Sequence, residues 1–210
     1  MRLSAVEWQL KGESSFVRLI VGLGNPGREY AGTRHNVGFE VVTLLSKRHG
    51  IPLSERGFRA LYGRGTIEGE PVCLFLPMTY MNLSGEAVGA ISRFYRIPPE
   101  DMIVILDDVN LPLGQIRLRA QGSSGGQKGL ESILQHLGTE AVPRVRVGIG
   151  RPSDGDVVSY VLSRFKREEE PLVQEATMRA ADAVEYVLKE GWNKAMSRFN
   201  RPQVTPETRS

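Results

Sequence analysis

The stretch that decides the fold runs from Leu19 to Gly38 and reads LIVGLGNPGREYAGTRHNVG. It opens as a short apolar strand, breaks into a Gly/Pro loop and ends at a helix start that carries a histidine. Gly22, Gly24 and Gly27 satisfy G-x-G-x-x-G, but a dinucleotide fingerprint needs its helix to begin inside the glycines, so that free N–H groups face a pyrophosphate. Here Pro26-Gly27 prolongs a turn. The first good helix start is Thr33, whose hydroxyl is expected to cap the orphan N–H groups beyond it. No acidic residue ends a second strand at the distance the ribose contact requires. The loop instead gathers Asn25, Tyr30, His35 and Asn36 at a strand end and a helix N-terminus, which makes a polar site and not a dinucleotide cradle.

Working outward, 210 residues suffice for one well-buried domain, and no shift of composition divides them. Residues 1–15 read as a loosely attached extension anchored by Trp8, residues 16–200 as the domain, and residues 201–210 as a disordered tail. The net charge of +3 permits phosphate partners without demanding them. The single cysteine, Cys73, lies in the apolar run Val72–Leu76, so a disulfide scaffold is excluded. With nothing cationic beside it to lower its pKa, Cys73 reads as a buried, inert thiol. His35, His49 and His136 have no metal-ligand spacing, and no metal is expected. No apolar run reaches membrane-spanning length, and MRLSAVEWQLKGESS lacks a signal-peptide core. A soluble, cytoplasmic protein is expected.

The rest of the chain alternates strands and helices. Val37, Val41, Leu44 and Leu45 recur at helical spacing until Gly50-Ile51-Pro52. Residues 57–67 and 71–76 read as two strands joined across Glu68-Gly69-Glu70. The loop LPMTYMNLSG leads to a helix that Ser84 is placed to cap. Met102–Leu106 is a continuous apolar run of the kind buried inside a sheet. Gln115–Ala120 alternates Ile116 and Leu118 with Arg117 and Arg119, one face buried and the other basic. A glycine loop, Gly122–Gly126, precedes a helix to about Leu137, and Val145–Ile149 is another strand. From Glu169 to Glu190, Leu172, Val173, Ala176, Ala180, Ala183, Val184, Val187 and Leu188 line one side of an amphipathic helix. The pattern predicts a single α/β domain: a twisted mixed sheet with helices on both faces.

Four loops at strand ends are candidates for chemistry, because open α/β sheets place their sites there. They carry Asn25 and His35; Thr79-Tyr80-Met81-Asn82; Asp107-Asp108 through Pro112; and the glycine loop into Gln127 and Lys128. Each alone has an ordinary reading. His35 packs on a neighbour, Asn82 turns a loop, Asp107 caps a strand end, Tyr80 and Met81 fill the core, and the glycines link. Together they suit ester hydrolysis, for which imidazole is the natural base near neutrality. A helix N-terminus disfavours the protonated ring, and an aspartate on its other nitrogen fixes the tautomer. Amide side chains add donors for an oxyanion without another titrating group. A Ser-His-Asp hydrolase built on Ser84 is the rival chemistry, but no G-x-S-x-G elbow exists, so direct attack by water is preferred.

Six segments carry a resemblance: GLGNPG from Gly22; Tyr30-x-x-Thr33-Arg34-His35-Asn36-x-Gly38; Thr79-Tyr80-Met81-Asn82-x-Ser84-Gly85; Asp107-Asp108-x-x-Leu111-Pro112-x-Gly114; Gly125-Gly126-x-x-Gly129-Leu130; and Arg146-x-Gly148-x-Gly150-Arg151-Pro152. In order and spacing, from about residue 17 to 200, they resemble the bacterial peptidyl-tRNA hydrolase family. The N-terminal extension has no counterpart in the family core. The resemblance implies hydrolysis of the ester between a peptide and the terminal ribose of tRNA, with no cofactor and no metal, by a protein expected to be monomeric. It implies His35 as the base that activates water, Asp107 as its orienting partner, and Asn82 as the group that positions water or stabilises the oxyanion. Asn25 would hold the peptide near its ester end, Tyr30 would contact the end of the tRNA, and Met81 would shape the pocket. Tyr80 and Lys128 complete the expected substrate contacts.

Two further expectations follow from the same segments. Positions matching Arg119 and Arg146 are associated in the family with the tRNA 5′-phosphate, and Arg144 and Arg146 are expected to face outward as Arg117 and Arg119 do. The departure lies at Gln127-Lys128, where the family usually shows His-Asn; lysine offers a charged donor and no acceptor. That departure favours a second reading, a non-hydrolytic RNA-binding relative on the same fold. Retention of Asn25, His35, Asn82 and Asp107 argues against it. A nucleotide-dependent oxidoreductase is a distant third.

Overall fold

Met102–Asp108 forms β5, a strand buried at every position, as an apolar run covered on both faces must be. The structure, a computed structural model, describes residues 17–152 and 155–201; the extension over 1–15 with Trp8, and the tail beyond Arg201, lie outside the described residues. Around β5 a seven-stranded sheet assembles in the order β2-β3-β4-β1-β5-β7-β6. Its other strands are β1 Arg18–Gly22, β2 Glu55–Gly57, β3 Ala60–Ile67, β4 Glu70–Pro77, β6 Ile116–Arg119 and β7 Arg144–Gly148. β4, β1, β5 and β7 run parallel, while β2-β3-β4 and β6-β7 are antiparallel.

The helices are α1 Val37–His49, α2 Ser84–Tyr95, α3 Lys128–Leu137, α4 Val157–Leu162, α5 Glu170–Glu190 and α6 Trp192–Phe199. α1, α5 and α6 bury Val41, Leu45, Ala180, Val184 and Phe199 against one face of the sheet. α2 and α3 bury Val88, Ile91, Leu130 and Ile133 against the other. The expected mixed sheet between two helical layers is therefore the fold, in one domain. Burial pushes the Cys73 thiol up to about 12, so it is inert as expected.

Local chemistry departs from expectation in four places. The strand expected over 57–67 is two strands, because Phe58 and Arg59 both take positive φ, 52° and 55°, and turn the chain back between Gly57 and Ala60. Such a turn ordinarily advertises itself with Asn or Gly; this one does not. Thr33 does not cap a helix: its hydroxyl donates to the Tyr30 carbonyl at 2.7 Å. Ser84 is the first residue of α2, not its cap, and donates to the Met81 carbonyl at 2.8 Å. Both helices are entered through 3-10 turns, Arg34–Asn36 and Met81–Leu83, whose tighter bonds occupy N–H groups that a cap would otherwise take. Finally, Leu172 is 47% exposed, because the first turn of α5 overruns the core that begins at Ala176.

Two features at the margins of the sheet matter later. Glu68 and Gly69, at φ 51° and 82°, close the β3-β4 hairpin as expected. At the far edge, the Leu118 N–H donates to Asn200 Oδ1 at 2.7 Å and Asn200 Nδ2 donates to the Leu118 carbonyl at 3.0 Å.

What positions the site is a backbone contact. α1 sits so close to the ends of β1 and β5 that a Cβ on Gly38 would meet the Ile105 oxygen at 2.4 Å and the Leu23 nitrogen and oxygen at 2.6 Å. None of those atoms can move aside without breaking the sheet. Gly38→Ala is therefore expected to destabilise the protein by about 3 kcal/mol or more, read as a fall of roughly 6 °C or more in the melting temperature; an unchanged melt would show that α1 can back away.

Candidate active site

The topology sets the C-terminal ends of β4, β1 and β5 side by side, and the loops that leave them converge. Beyond β1 the Leu23 N–H still donates to the Ile105 carbonyl at 2.9 Å, so the chain keeps its course as far as Asn25. There Asn36 clasps it: the Asn25 N–H donates to Asn36 Oδ1 at 2.9 Å, and Asn36 Nδ2 donates to the Asn25 carbonyl at 3.0 Å. Asn25 in turn reaches the next loop, its Oδ1 accepting from the Met81 N–H at 2.7 Å. Only the amide oxygen accepts, so this bond fixes the amide and leaves its NH₂ for the cleft that Asn25 lines.

His35 occupies the 3-10 turn ahead of α1, with Nδ1 2.9 Å from Asp107 Oδ2. The two side chains are 12% and 3% exposed. A carboxylate accepts only, so Nδ1 carries the proton and Nε2 is left as an acceptor. The second oxygen of Asp107 is also engaged: Gln127 Nε2 donates to Oδ1 at 3.0 Å and lies 3.3 Å from Met81 Sδ. Gln127 Oε1 accepts from the Leu130 N–H at 2.7 Å, which caps α3.

These groups line one side of a cleft of about 610 Å³. Met81 is buried in its floor, and exposed Asn82 stands on its rim. Tyr80, 58% exposed, meets Tyr30 edge to face at 6.4 Å, so Tyr30 borders the site through its neighbour. The opposite wall is apolar, from Val157, Val158, Val161 and Leu162 of α4. Ser84 is buried and its hydroxyl is spent on the Met81 carbonyl, so no serine nucleophile faces His35. Among the described residues no cluster of His, Cys, Asp and Glu could hold a metal ion, and no helix is long and apolar enough to cross a membrane.

The basic residues separate into three kinds. Lys128 lies at the rim, but its ammonium is 2.9 Å from Glu131 and points along α3. Arg146 is held at 2.6 Å by Asp108, whereas Arg119 is exposed. The register pairs Arg117 with Arg146 and Arg119 with Arg144 on one face of the β6-β7 ladder. Arg144 corrects the expectation of two outward arginines on β7. It is buried, donating to the carbonyls of Val142, Gly122 and Ser123. Burial first, and then the charges of Arg146 and Arg119, lower its pKa to about 10.

A sequence model of the family described as peptidyl-tRNA hydrolase matches residues 19–207. The chain belongs to the peptidyl-tRNA hydrolase family. It is 53% identical over 182 residues to the peptidyl-tRNA hydrolase of Caldanaerobacter subterraneus subsp. tengcongensis, covering 87% of this chain and 98% of that protein. The enzyme of that name from Geobacillus kaustophilus is 52% identical over 185 residues, 88% of this chain and 100% of the other. The crystal structure of peptidyl-tRNA hydrolase from Acinetobacter baumannii superposes with a TM-score of 0.84 at 42% identity, covering 90% of this chain and 96% of that one.

Within this peptidyl-tRNA hydrolase family member, three parts of the site escape sequence reasoning. Gln127, not Lys128, reaches Asp107. The α4 wall goes unnoticed, although Val157-Val158 and Val161-Leu162 recur at helical spacing in a short polar stretch. Asn36 falls within the site by sequence but without a role; the structure makes it the clasp of the Asn25 loop. Asn36→Ala would leave a buried N–H and a buried carbonyl of Asn25 unpartnered, at about 1–3 kcal/mol for each group. We expect a lower melting temperature together with reduced turnover, and a variant as stable and active as the parent would show that the loop holds itself.

Proposed function

We propose that this protein hydrolyses the ester joining a peptide, or an N-blocked aminoacyl group, to the terminal ribose of tRNA, and so returns the tRNA to translation. The observation that carries the reading is the His35–Asp107 pair, set with Nε2 free at the side of an amide-lined cleft, in a chain of this family. His35 Nε2 takes a proton from water as the water oxygen bonds to the ester carbonyl carbon. The carbonyl electron pair moves to its oxygen, where Asn25 and Asn82 donate their N–H groups. As the intermediate collapses, the bond to the ribose oxygen breaks and that oxygen takes the proton back from Nε2. Asp107 stays ionised throughout, holding the tautomer and stabilising the imidazolium. The proton balance closes on His35 alone, so the scheme uses no metal or cofactor.

The surroundings divide the substrate. The valines and leucine of α4 suit peptide side chains, Met81 shapes the floor, and Tyr80 with Tyr30 offers aromatic faces to the acceptor end of the tRNA. Lys128 adds charge at the rim. Arg119 and Arg146 take the 5′-phosphate, Arg146 exchanging its hold on Asp108 for phosphate oxygens. We place the enzyme in the cytoplasm, where translation leaves its substrate, and read it as a monomer, since one chain supplies every group named. The Gln127-Lys128 pair, which favoured a non-hydrolytic relative, loses that weight because Gln127 reinforces Asp107.

The decisive assay is release of labelled N-acylated amino acid from tRNA, with free aminoacyl-tRNA as the control. His35→Ala should slow it by ~10²–10⁴-fold while leaving tRNA binding intact; near-parental turnover would remove His35 from the mechanism. Replacing Arg119 and Arg146 together by alanine should raise KM for full-length substrate and make it less sensitive to salt, by the equivalent of roughly one neutralised phosphate per arginine removed. A short aminoacylated CCA fragment without the 5′ end should be hydrolysed as before. Equal damage to both substrates would sink the phosphate role.

A further inference from the structure

Gln127 is the one polar side chain against the His35–Asp107 pair that the proposed mechanism leaves without a task. Its amide orientation follows from the helix it begins. The Leu130 N–H is an orphan donor in the first turn of α3, and it points at Gln127 Oε1 at 2.7 Å. A donor requires the oxygen, so the NH₂ group is the end that faces Asp107. The opposite orientation would set N–H against N–H at one end and oxygen against a carboxylate at the other.

The side chain is also held in place. A Cβ on Gly129 would lie 2.4 Å from Met81 Sδ, 2.9 Å from Leu23 Cδ1 and 3.1 Å from Gln127 Oε1. The start of α3 is thus pressed onto the site floor, and Gln127 cannot swing away while α3 stays packed. Asp107, 3% exposed, is left with one oxygen on an imidazole and the other on an amide. The charged groups near the pair are engaged elsewhere: Asp108 with Arg146 and Lys128 with Glu131. Tyr80 is the remaining titratable group of the cleft wall.

We propose that Gln127 is a positioning residue: by donating to Asp107 it aims the carboxylate at His35 Nδ1 and so fixes the tautomer that presents Nε2 to water. This deepens the hydrolytic reading and rests on it for its consequence in turnover. The choice of an amide carries chemical meaning. It donates at every pH and never ionises, so the orientation of Asp107 is independent of pH and His35 is the one group of this relay that titrates around neutrality.

Two substitutions separate this role from mere capping. Gln127→Ser keeps a strong N-cap oxygen for Leu130 but is too short to reach Asp107. Gln127→Glu keeps the length and the capping oxygen but sets a charge where the donor was. The ¹⁵N spectrum of the imidazoles reads the tautomer directly; His35→Ala assigns the signal, and His49 and His136, the only other histidines, serve as internal references. In the parent, neutral His35 should show the Nδ1–H form, and in Gln127→Ser a mixture of the two forms, with an unchanged melting temperature. Turnover of Gln127→Ser should fall about 10–100-fold in kcat, the cost usual for losing a group that orients a functional histidine, with KM for peptidyl-tRNA held. Gln127→Glu should also lose kcat at pH 8. The acid limb of its kcat/KM profile should move to higher pH, because added negative charge favours the imidazolium.

An unchanged His35 spectrum with parental kcat in Gln127→Ser would reduce Gln127 to a helix cap and overturn the proposal. Should that variant fail to fold, parental kcat and an unmoved acid limb in Gln127→Glu overturn it equally. A parent protein that releases nothing from peptidyl-tRNA would instead defeat the hydrolytic reading, and the imidazole spectra would still decide the positioning role.

Discussion

Asp107 ends a strand buried along its whole length, and an ionised carboxylate withdrawn from water must have its oxygens occupied. That requirement organises the upper end of the molecule. One oxygen is met by His35 from the turn before α1, the other by Gln127 from the residue before α3. Three segments far apart in sequence therefore meet on a single side chain. They meet there because β1 and β5 are neighbours, so that whatever follows β1 is delivered beside the end of β5. The helix that carries His35 must then approach within backbone contact, which is why Gly38 lacks room for even one carbon more. Site and fold are thus not separable layers: the spacing of a helix from a sheet is also the spacing of a base from its orienting acid.

Much of this was legible in the sequence, and the reasons differ residue by residue. Met102–Leu106 announced a buried strand because a continuous apolar run has few other uses. Asn25, His35, Asn82 and Asp107 were legible as a set because all lie just past strand ends. Thr33 and Ser84 misled because a hydroxyl before a helix can serve the turn behind it as well as the helix ahead, and composition does not say which. Phe58-Arg59 hid a reversal because side chains that rarely adopt positive φ were forced into it by the pairing of β2 with β3. Arg144 was misread for another reason. Alternation along a strand tells which face a residue occupies, but not whether a loop covers that face, and the chain around Gly122 and Ser123 does cover it. Gln127 and Lys128 show the finest limit. At a helix start, one position decides whether a side chain turns back onto the site or out along the helix.

The amide side chains share a common logic. Asn25, Asn36 and Gln127 each use the oxygen for one structural bond and the NH₂ for another purpose, or both ends to close a loop. An amide carries donor and acceptor in fixed relative positions and holds no charge that would compete with the His35–Asp107 pair. A site that must run on one titrating base is well served by neighbours that cannot titrate.

The same device, moved to the margin of the sheet, has a different consequence. β6 is an edge strand, and an unpaired edge invites another chain to add itself as the next strand. At Leu118 that invitation is withdrawn: the Asn200 amide offers an oxygen to the N–H and a nitrogen to the carbonyl, as the peptide group of an eighth strand would. The opposite edge is defended by other means, since β2 is only three residues long and carries an exposed arginine, Arg56. Open-ended sheet growth between copies is thus blocked at one side by brevity and charge. At the other it is blocked by one asparagine just past the last helix, so that resistance to aggregation depends on a residue remote from any chemistry.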